Sequence, residues 1–451
     1  MMNKKVRTLL LMFALSLALS GCEAASSPID LLTAPRLDEA QQKARAAIIH
    51  TLPDDAALTL PVQSERTSAI NLVDLDGDGI QEAIAFYQKQ QTSEVGMLIM
   101  VNESGTWKKA SSLAFQGTAI TYAAIQDLDG NERPELLVGV DESSYWNTLS
   151  IYQFKNKEIK RIDMLTYTEV AIGNLNDDPQ PEIVALTHDQ EKGKAKAQVY
   201  TIKNQRLHLI DQLAMNGAMN GYEQVLIGNA AQGQKGVFVD MGIGAHSSYT
   251  ALLVLQNNRL HNVVATPEDE TAQTYKPHSL YSKDINGDGI IEIGIQQEPP
   301  GSEDMPLIDV PWIDGWYRWD GKSGLVAVHQ SYTDIESGYR FHIPELWHER
   351  YTVKQTKTEG AGLISTFYYV DATGKITGEW LTIRPYKLAQ WTKEEETLKY
   401  QEEDYTVVAE DHRHVFVATF PKGRIHPTPE PESIRLTKQN ITSYFELFHF
   451  D

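Results

Sequence analysis

The sequence predicts a mainly β chain: a β-propeller of about five blades followed by a small α+β domain. Three observations carry this expectation. An Asp- and Asn-rich string recurs with its first positions 53, 47, 55 and 55 residues apart, and a period near 50 marks a propeller or solenoid array. Inside each period, short apolar runs alternate with polar turns such as NESG, KNKE, KNQR and QNNR. Four such runs in about 50 residues suit one blade, and the strand from Ser68 to Val73 is expected to close the ring with the last unit. After about Ser331 the recurrence stops, and helix-like stretches stand among strand-like ones, as in an α+β domain.

Composition narrows the function. The 451 residues carry 40 Lys+Arg against 61 Asp+Glu, a net charge of −21, and one cysteine. Phosphate binding needs clustered cations, so nucleic acid is not an expected partner. Charge-driven adhesion to anionic lipid is disfavoured as well. One cysteine excludes an intramolecular disulfide and a multi-cysteine metal site.

The amino terminus gives that cysteine a role. Lys4, Lys5 and Arg7 precede a short apolar run, Leu9 to Leu19. The run is shorter than the roughly 20 residues of a permanent span, and the whole has the layout of a secretory signal. It ends Leu19-Ser20-Gly21-Cys22, which resembles the bacterial lipobox. That resemblance implies cleavage before Cys22 and its lipidation, with acyl chains holding the chain to a membrane at about 0.8 kcal/mol per buried CH₂. The exported chain would then carry 37 cations against 61 anions, or −24. The expected segments are a signal over 1–21, a tether and short helix over 22–55, the repeats over 56–332 and the last domain over 333–451. Within the second segment, Leu37 to Ile49 has helical composition.

The recurring strings come next. The first is Asp74-Leu-Asp76-Gly-Asp78-Gly-Ile80-Gln-Glu82. The second runs from Asp127 through Asp129, Asn131 and Arg133 to Glu135. The third runs from Asn174 through Asn176, Asp178 and Gln180 to Glu182. The fourth, Asn229 to Val237, is eroded, and the fifth runs from Asp284 through Asn286, Asp288 and Ile290 to Glu292. Positions one, three, five and nine carry Asp, Asn or Glu in four of the five. Alternate side chains converge when a backbone curls, and hard cations such as Ca²⁺ take six to eight oxygens. Gly79 and Gly289 at position six permit the sharp turn. An EF-hand begins the same way, but it needs Glu at position twelve. Here that position holds Ala85, Val138, Ala185 or Ile295, so the EF-hand fails. Solvated Asx turns without metal are the simpler alternative.

These strings resemble the FG-GAP/VCBS repeats of integrin-α-like propellers, over roughly residues 60–330. The resemblance implies Ca²⁺ held through positions one, three, five and nine and the carbonyl at seven. In loop one these are Asp74, Asp76, Asp78, Glu82 and the Ile80 carbonyl. In loop two they are Asp127, Asp129, Asn131, Glu135 and the Arg133 carbonyl. Loop three offers Asn174, Asn176, Asp178, Glu182 and the Gln180 carbonyl. Loop five offers Asp284, Asn286, Asp288, Glu292 and the Ile290 carbonyl. Two departures stand out: Glu132 at position six of loop two, where a left-handed backbone is costly, and Pro179 at that position of loop three, where it is impossible. A closed loop of this kind suggests a structural staple.

In the last segment, Gly338 to Trp347 (GYRFHIPELW) resembles the opening of a domain that recurs at the ends of Gram-positive lipoproteins. Leu363–Val370, Gly378–Ile383, Tyr405–Val408 and Val415–Thr419 have strand composition, whereas 388–401 and 434–447 are helix-like. HPTPEPES at 426–433 reads as a loop or arm. No nucleophile elbow, zincin motif, P-loop or dinucleotide fingerprint occurs. His412 and His414 alternate, as two ligands of a transition metal would, although a polar strand start explains them more simply. Asp240 with His246, Ser247 and Tyr249 could line a pocket or a Ser/His site, or form a structural bend. Trp312, Trp316 and Trp319 could stack on sugars or pack a blade. The expected activity is binding: a membrane-anchored, calcium-binding scaffold for an envelope protein or glycan. An envelope hydrolase on the same scaffold is the alternative.

Overall fold

The computed structural model describes residues 39–448 except 65, 67, 142–145, 177, 267–268, 270, 272, 349, 358–361 and 423–435. Cys22, the signal, most of the tether and the 426–433 arm lie outside the described residues. The chain divides into two compact units: residues 1–60, 66–116 and 155–159, and the remainder.

In the first unit, helix α1 (Glu39–Thr51) spaces Ala44 and Ile48 four apart, and both are fully buried. This stripe packs on Ala83, Ala85, Leu98 and Met100, as an amphipathic helix on a sheet must. The sheet is antiparallel: β3 (Ile70–Val73), β4 (Glu82–Lys89), β5 (Glu94–Glu103) and β6 (Thr106–Gln116). β1 (Ala56–Leu58) pairs with the far end of β4.

The second unit repeats the pattern. Sheet two contains β7 (Ile120–Gln126), β8 (Glu135–Asp141), β9 (Asn147–Lys155) and β10 (Glu158–Tyr167), with β2 (Gln63–Ser64) added in parallel to β7. Sheet three is β11 (Glu169–Gly173), β12 (Glu182–Asp189), β13 (Lys194–Lys203) and β14 (Arg206–Asn216). Sheet four is β15 (Gly221–Ala231), β16 (Gln234–Ile243), β17 (Ser247–Gln256) and β18 (Arg259–Asn262). Successive sheets share cores. Ile151 and Ile183 join sheets two and three, Val184 and Val239 join three and four, and Phe238 and Trp319 join four and five.

The repeat reaches fine detail. β4, β5, β8 and β12 are buried almost throughout, whereas β6, β10 and β14 alternate with water on one face, as period-two strands at a sheet edge do. Bulges fall at Ile99/Met100 and Val199/Tyr200; Met100 and Tyr200 each lie 26 residues after position one of their loop. The turns expected from NESG, KNKE, KNQR and QNNR are two-residue turns at Ser104-Gly105, Asn156-Lys157, Asn204-Gln205 and Asn257-Asn258. Both residues have positive φ in each, the geometry that matches strand twist.

Sheet five is β19 (Ile293–Gln297), β20 (Ile313–Trp319), β21 (Leu325–Asp334) and β22 (Tyr339–His342), and the final strand β28 (Phe445–Leu447) returns to pair with β22. Sheet six contains β23 (Tyr351–Lys357), β24 (Leu363–Val370), β25 (Ile376–Lys387), β26 (Asp404–Glu410) and β27 (His414–Phe420), in the order β23-β24-β25-β27-β26. Helix α2 (Trp391–Tyr400) occupies the expected 388–401 stretch.

Three expectations need correction. The boundary at 332/333 falls inside β21. Tyr332, Tyr339 and Phe341 share one core with Phe367, Trp380 and Phe416, so aromatic packing runs across it. The helix-like 434–447 stretch holds, in its described part, a 3₁₀ turn (Ile441–Tyr444) and β28; pairing with β22 overrides its propensity. The strand after Ser68, expected to complete the last repeat, pairs with β4 of its own sheet.

Candidate metal centre

In sheets one to three the Asp-rich string joins β3 to β4, β7 to β8 and β11 to β12, and the later strand of each pair opens on the position-nine glutamate; in sheet five the string directly precedes β19. That glutamate closes the loop. Its Oε2 accepts the backbone N–H of position two at 2.8 Å in Leu75, 2.9 Å in Leu128, 2.8 Å in Leu175 and 3.1 Å in Ile285. The partner residues Leu75, Leu128 and Leu175 are buried, so an apolar anchor and a carboxylate together pin the loop. Position five makes a second shared contact. Asp78, Asn131, Asp178 and Asp288 each accept the N–H of position seven: Ile80 at 2.7 Å, Arg133 at 2.8 Å, Gln180 at 3.0 Å and Ile290 at 2.8 Å.

Position one separates the loops. Asp74 takes N–H groups from Gly77 and Gly79, both at 2.8 Å. Asp127 takes Gly130 at 2.8 Å and Glu132 at 2.7 Å. Asp284 takes Gly287 at 2.7 Å and Gly289 at 2.8 Å. The backbone at position six is left-handed in all three, with φ of 84° at Gly79, 63° at Glu132 and 83° at Gly289. In loop three position six is Pro179, which has no N–H to give. Position one is correspondingly Asn174, and its amide donates to the Asp178 carbonyl instead.

The position-nine carboxyls are buried, and burial raises their pKa. Glu82 and Glu135 are pushed up to about 7, and Glu182 and Glu292 move in the same direction. Backbone hydrogen bonds, that from Gly289 foremost, hold Asp284 below the usual range. Among the described residues, Asp76 Oδ1, Glu135 Oε1 and Glu292 Oε1 are buried without a hydrogen-bond partner. Such orphaned oxygens cost free energy unless something pairs with them.

A divalent oxygen-seeking cation fits loops one and two. Two oxygens on opposite sides of Ca²⁺ lie about 4.8 Å apart. One oxygen each from Asp74, Asp76 and Asp78 fall within 4.8 Å of one another, as do those of Asp127, Asp129 and Glu135. Loop five offers the orphaned Glu292 oxygen, but Asp288 Oδ2 already faces Asn286 Nδ2 at 3.1 Å and Arg318 Nη1 at 3.5 Å. Loop three fits poorly. The Asn176 amide donates to Glu182 Oε1, placing an N–H where a cation needs an oxygen. In the eroded string, Asn229 instead bonds the neighbouring loop, its Nδ2 donating to the Gly289 carbonyl at 2.8 Å.

The other candidates resolve differently. Asp240 does not meet His246 and Ser247. It is fully buried and accepts from Ser282 N at 2.9 Å, Thr250 Oγ1 and Lys276 Nζ at 3.3 Å. Lys276, equally buried, also donates to Thr250 Oγ1 at 2.9 Å and the Leu280 carbonyl at 2.6 Å, and burial lowers its pKa. Both partners of this ion pair are shut away from solvent, and breaking it leaves an uncompensated buried charge. Trp316 and Trp319 are buried, Trp319 between sheets four and five, while Trp312 remains partly exposed. Asp411 caps the turn before β27, accepting N–H groups from Arg413 and His414 at 2.6 Å; this is the polar strand start, and the described residues gather no metal cluster there. Sequence reasoning missed Lys276 as the partner of Asp240. It also missed a histidine pair, His329 Nε2 and His342 Nδ1, 3.0 Å apart on neighbouring strands.

No family model matches the chain, and no curated protein does. Among solved structures, a protein from Lactobacillus plantarum is similar with a TM-score of 0.31 and 12% identity, over 71% of this chain and 84% of that one. Saccharomyces cerevisiae Sqt1 has a TM-score of 0.31 and 10% identity over 64% and 82%. Rhamnogalacturonan lyase YesW has a TM-score of 0.31 and 13% identity over 72% and 76%. Similarity at these TM-scores is too weak to indicate an activity, and the chain stands as a multi-sheet β protein.

Proposed function

We propose that the chain is a lipid-anchored, extracytoplasmic β-propeller of about five FG-GAP-like blades. Ca²⁺ staples it, and it acts as a binding scaffold for an envelope protein or glycan. The observation that supports this best is the loop frame shared by four sheets, with three buried carboxylate oxygens left unpartnered inside it. Ca²⁺ at loops one, two and five would satisfy those oxygens and, at loops one and two, tie the strand before the loop to the strand after it. Loop three keeps the same fold through its asparagine amides and needs no ion. Isothermal titration of the full chain in detergent with calcium tests the claim. Saturable heats are expected, reduced by Asp76→Ala and by Asp129→Ala, and a silent titration contradicts it.

The anchor is a separate claim. Cys22 as a lipidated residue accounts for membrane attachment without a spanning helix, and among the described residues no helix is long and apolar enough to cross. Detergent phase partition of wild type and Cys22→Ser tests it. The variant should move to the aqueous phase; equal partition of both contradicts an anchor at Cys22.

A further inference from the structure

Two insertions break the repeat at one end of sheet five. The strand after the Asp-rich string is joined to the next by residues 90–93 (β4 to β5), 190–193 (β12 to β13) and 244–246 (β16 to β17), but β19 is joined to β20 by 298–312. Sheets two, three and four are entered by short links, 117–119, 168 and 217–220, whereas 263–282 precedes loop five. Antiparallel order places these excursions at the end of the sheet opposite the Asp loop. His278 N donates to Gln296 Oε1 at 3.1 Å, beside the last residues of β19, whereas Lys283 pairs with Glu292 at the loop.

Between this excursion and the β16–β17 turn of sheet four lies a cleft of about 350 Å³, lined by Asn220, Glu223, His246, Ser247, His278 and Ser279. Its volume falls at the low end of small-molecule pockets. Ser279 Oγ donates to Glu223 Oε2 at 2.9 Å. Gly242 leaves room for that carboxylate, since a Cβ there would sit 2.6 Å from Glu223 Oε1. The rim is aromatic. The Tyr275 hydroxyl lies 3.1 Å from Ser247 Oγ, and the Trp312 ring meets His278 edge-on at 6.2 Å. Tyr275 and Tyr281 are nearly half exposed, and Ile308 on the 298–312 excursion is 91% exposed.

We propose that this cleft and its aromatic rim bind a neutral saccharide. The lining supplies one carboxylate, one side-chain amide, two imidazoles and two hydroxyls, a set suited to ring hydroxyls. The tyrosine and tryptophan rings supply flat apolar faces with polar edges, suited to the C–H face of a sugar. Among the described residues no Lys or Arg lines the cleft, and Glu223 together with a net charge of −21 repels an anionic polymer. The polar walls disfavour a purely apolar ligand. This inference rests on the scaffold reading and names its glycan site.

The test is saturation-transfer NMR and tryptophan fluorescence on the full chain in detergent, with chitotetraose, maltotetraose and tetragalacturonate as probes. Saturable binding of a neutral tetramer is expected, weakened about tenfold or more by Tyr275→Ala and by His246→Ala, with melting midpoints of both variants preserved. The proposal is overturned if neither neutral tetramer saturates, if both variants bind like wild type, or if tetragalacturonate binds most tightly. The same samples melted with calcium and with chelator keep the two claims apart. Loss of sugar binding with calcium stabilisation intact rejects only the saccharide site. Sugar binding without calcium stabilisation rejects only the staple.

Discussion

Glu135 holds loop two with one oxygen and leaves the other buried and unpaired. Without a cation that arrangement is costly; with one it is the keystone. Glu135→Gln should therefore have opposite effects in the two conditions. In chelator the variant should melt above wild type, because a neutral amide replaces a buried carboxylate. In calcium it should melt below wild type, because a ligand is lost. Thermal melts of both proteins in both conditions check the crossover, and parallel shifts would contradict the role. Glu132 makes a smaller test. Its φ of 63° costs an L-residue about 1–2 kcal/mol, part of which glycine returns as unfolded-chain entropy. Glu132→Gly should stabilise by about 0.5–1 kcal/mol in urea denaturation. At this scale the sequence was informative. Pro179 told that loop three would depart from the frame, and Asn174 departs with it. The turns were legible as polar strings, and asparagine, which tolerates positive φ, occupies three of the four. Asp240 was misleading: its real partner, Lys276, lies 36 positions away and is found by folding alone.

Strand pairing at the edge of sheet five builds a clasp from distant residues. His329 on β21 faces His342 on β22 at 3.0 Å, and His342 Nε2 lies 3.3 Å from Glu446 on β28. Arg340 reaches the same carboxylate at 3.2 Å. Burial, with His342, His348, Arg340 and Lys283 nearby, depresses His329 from 6.5 to about 4; burial also lowers His342. The folded state thus prefers neutral imidazole. Stability from this pair is fully present above pH 6.5 and is lost as pH falls toward about 4. Urea denaturation of wild type and His329→Asn across that window checks it. The wild type should lose more stability than the variant on acidification; equal losses would contradict the clasp. None of this was legible beforehand, because a cross-strand contact depends on register, and one residue of slip moves a side chain to the other face. The returning β28 was hidden for the same reason, and the boundary at 332/333 with it.

Across the whole molecule, the repeat period and the alternation of apolar runs made the β architecture legible, since both follow from strand geometry. The excursions at 263–282 and 298–312 were not, because irregular segments carry no periodic signal. Acidity takes on a partial structural meaning. Twelve Asp and Glu side chains occupy candidate ligand positions in loops one, two, three and five, and they repel one another when no cation is present. The rest of the negative charge is spread over the surface, where it favours solubility. A ligand that binds only the folded state stabilises it by about 2.7 kcal/mol per site at a hundredfold excess over Kd. The most direct test is therefore the melting midpoint of the full chain in detergent, measured with millimolar calcium and with chelator. The calcium sample should melt several degrees higher, with the rise reduced in Asp76→Ala; coincident midpoints would contradict calcium as the staple of this fold.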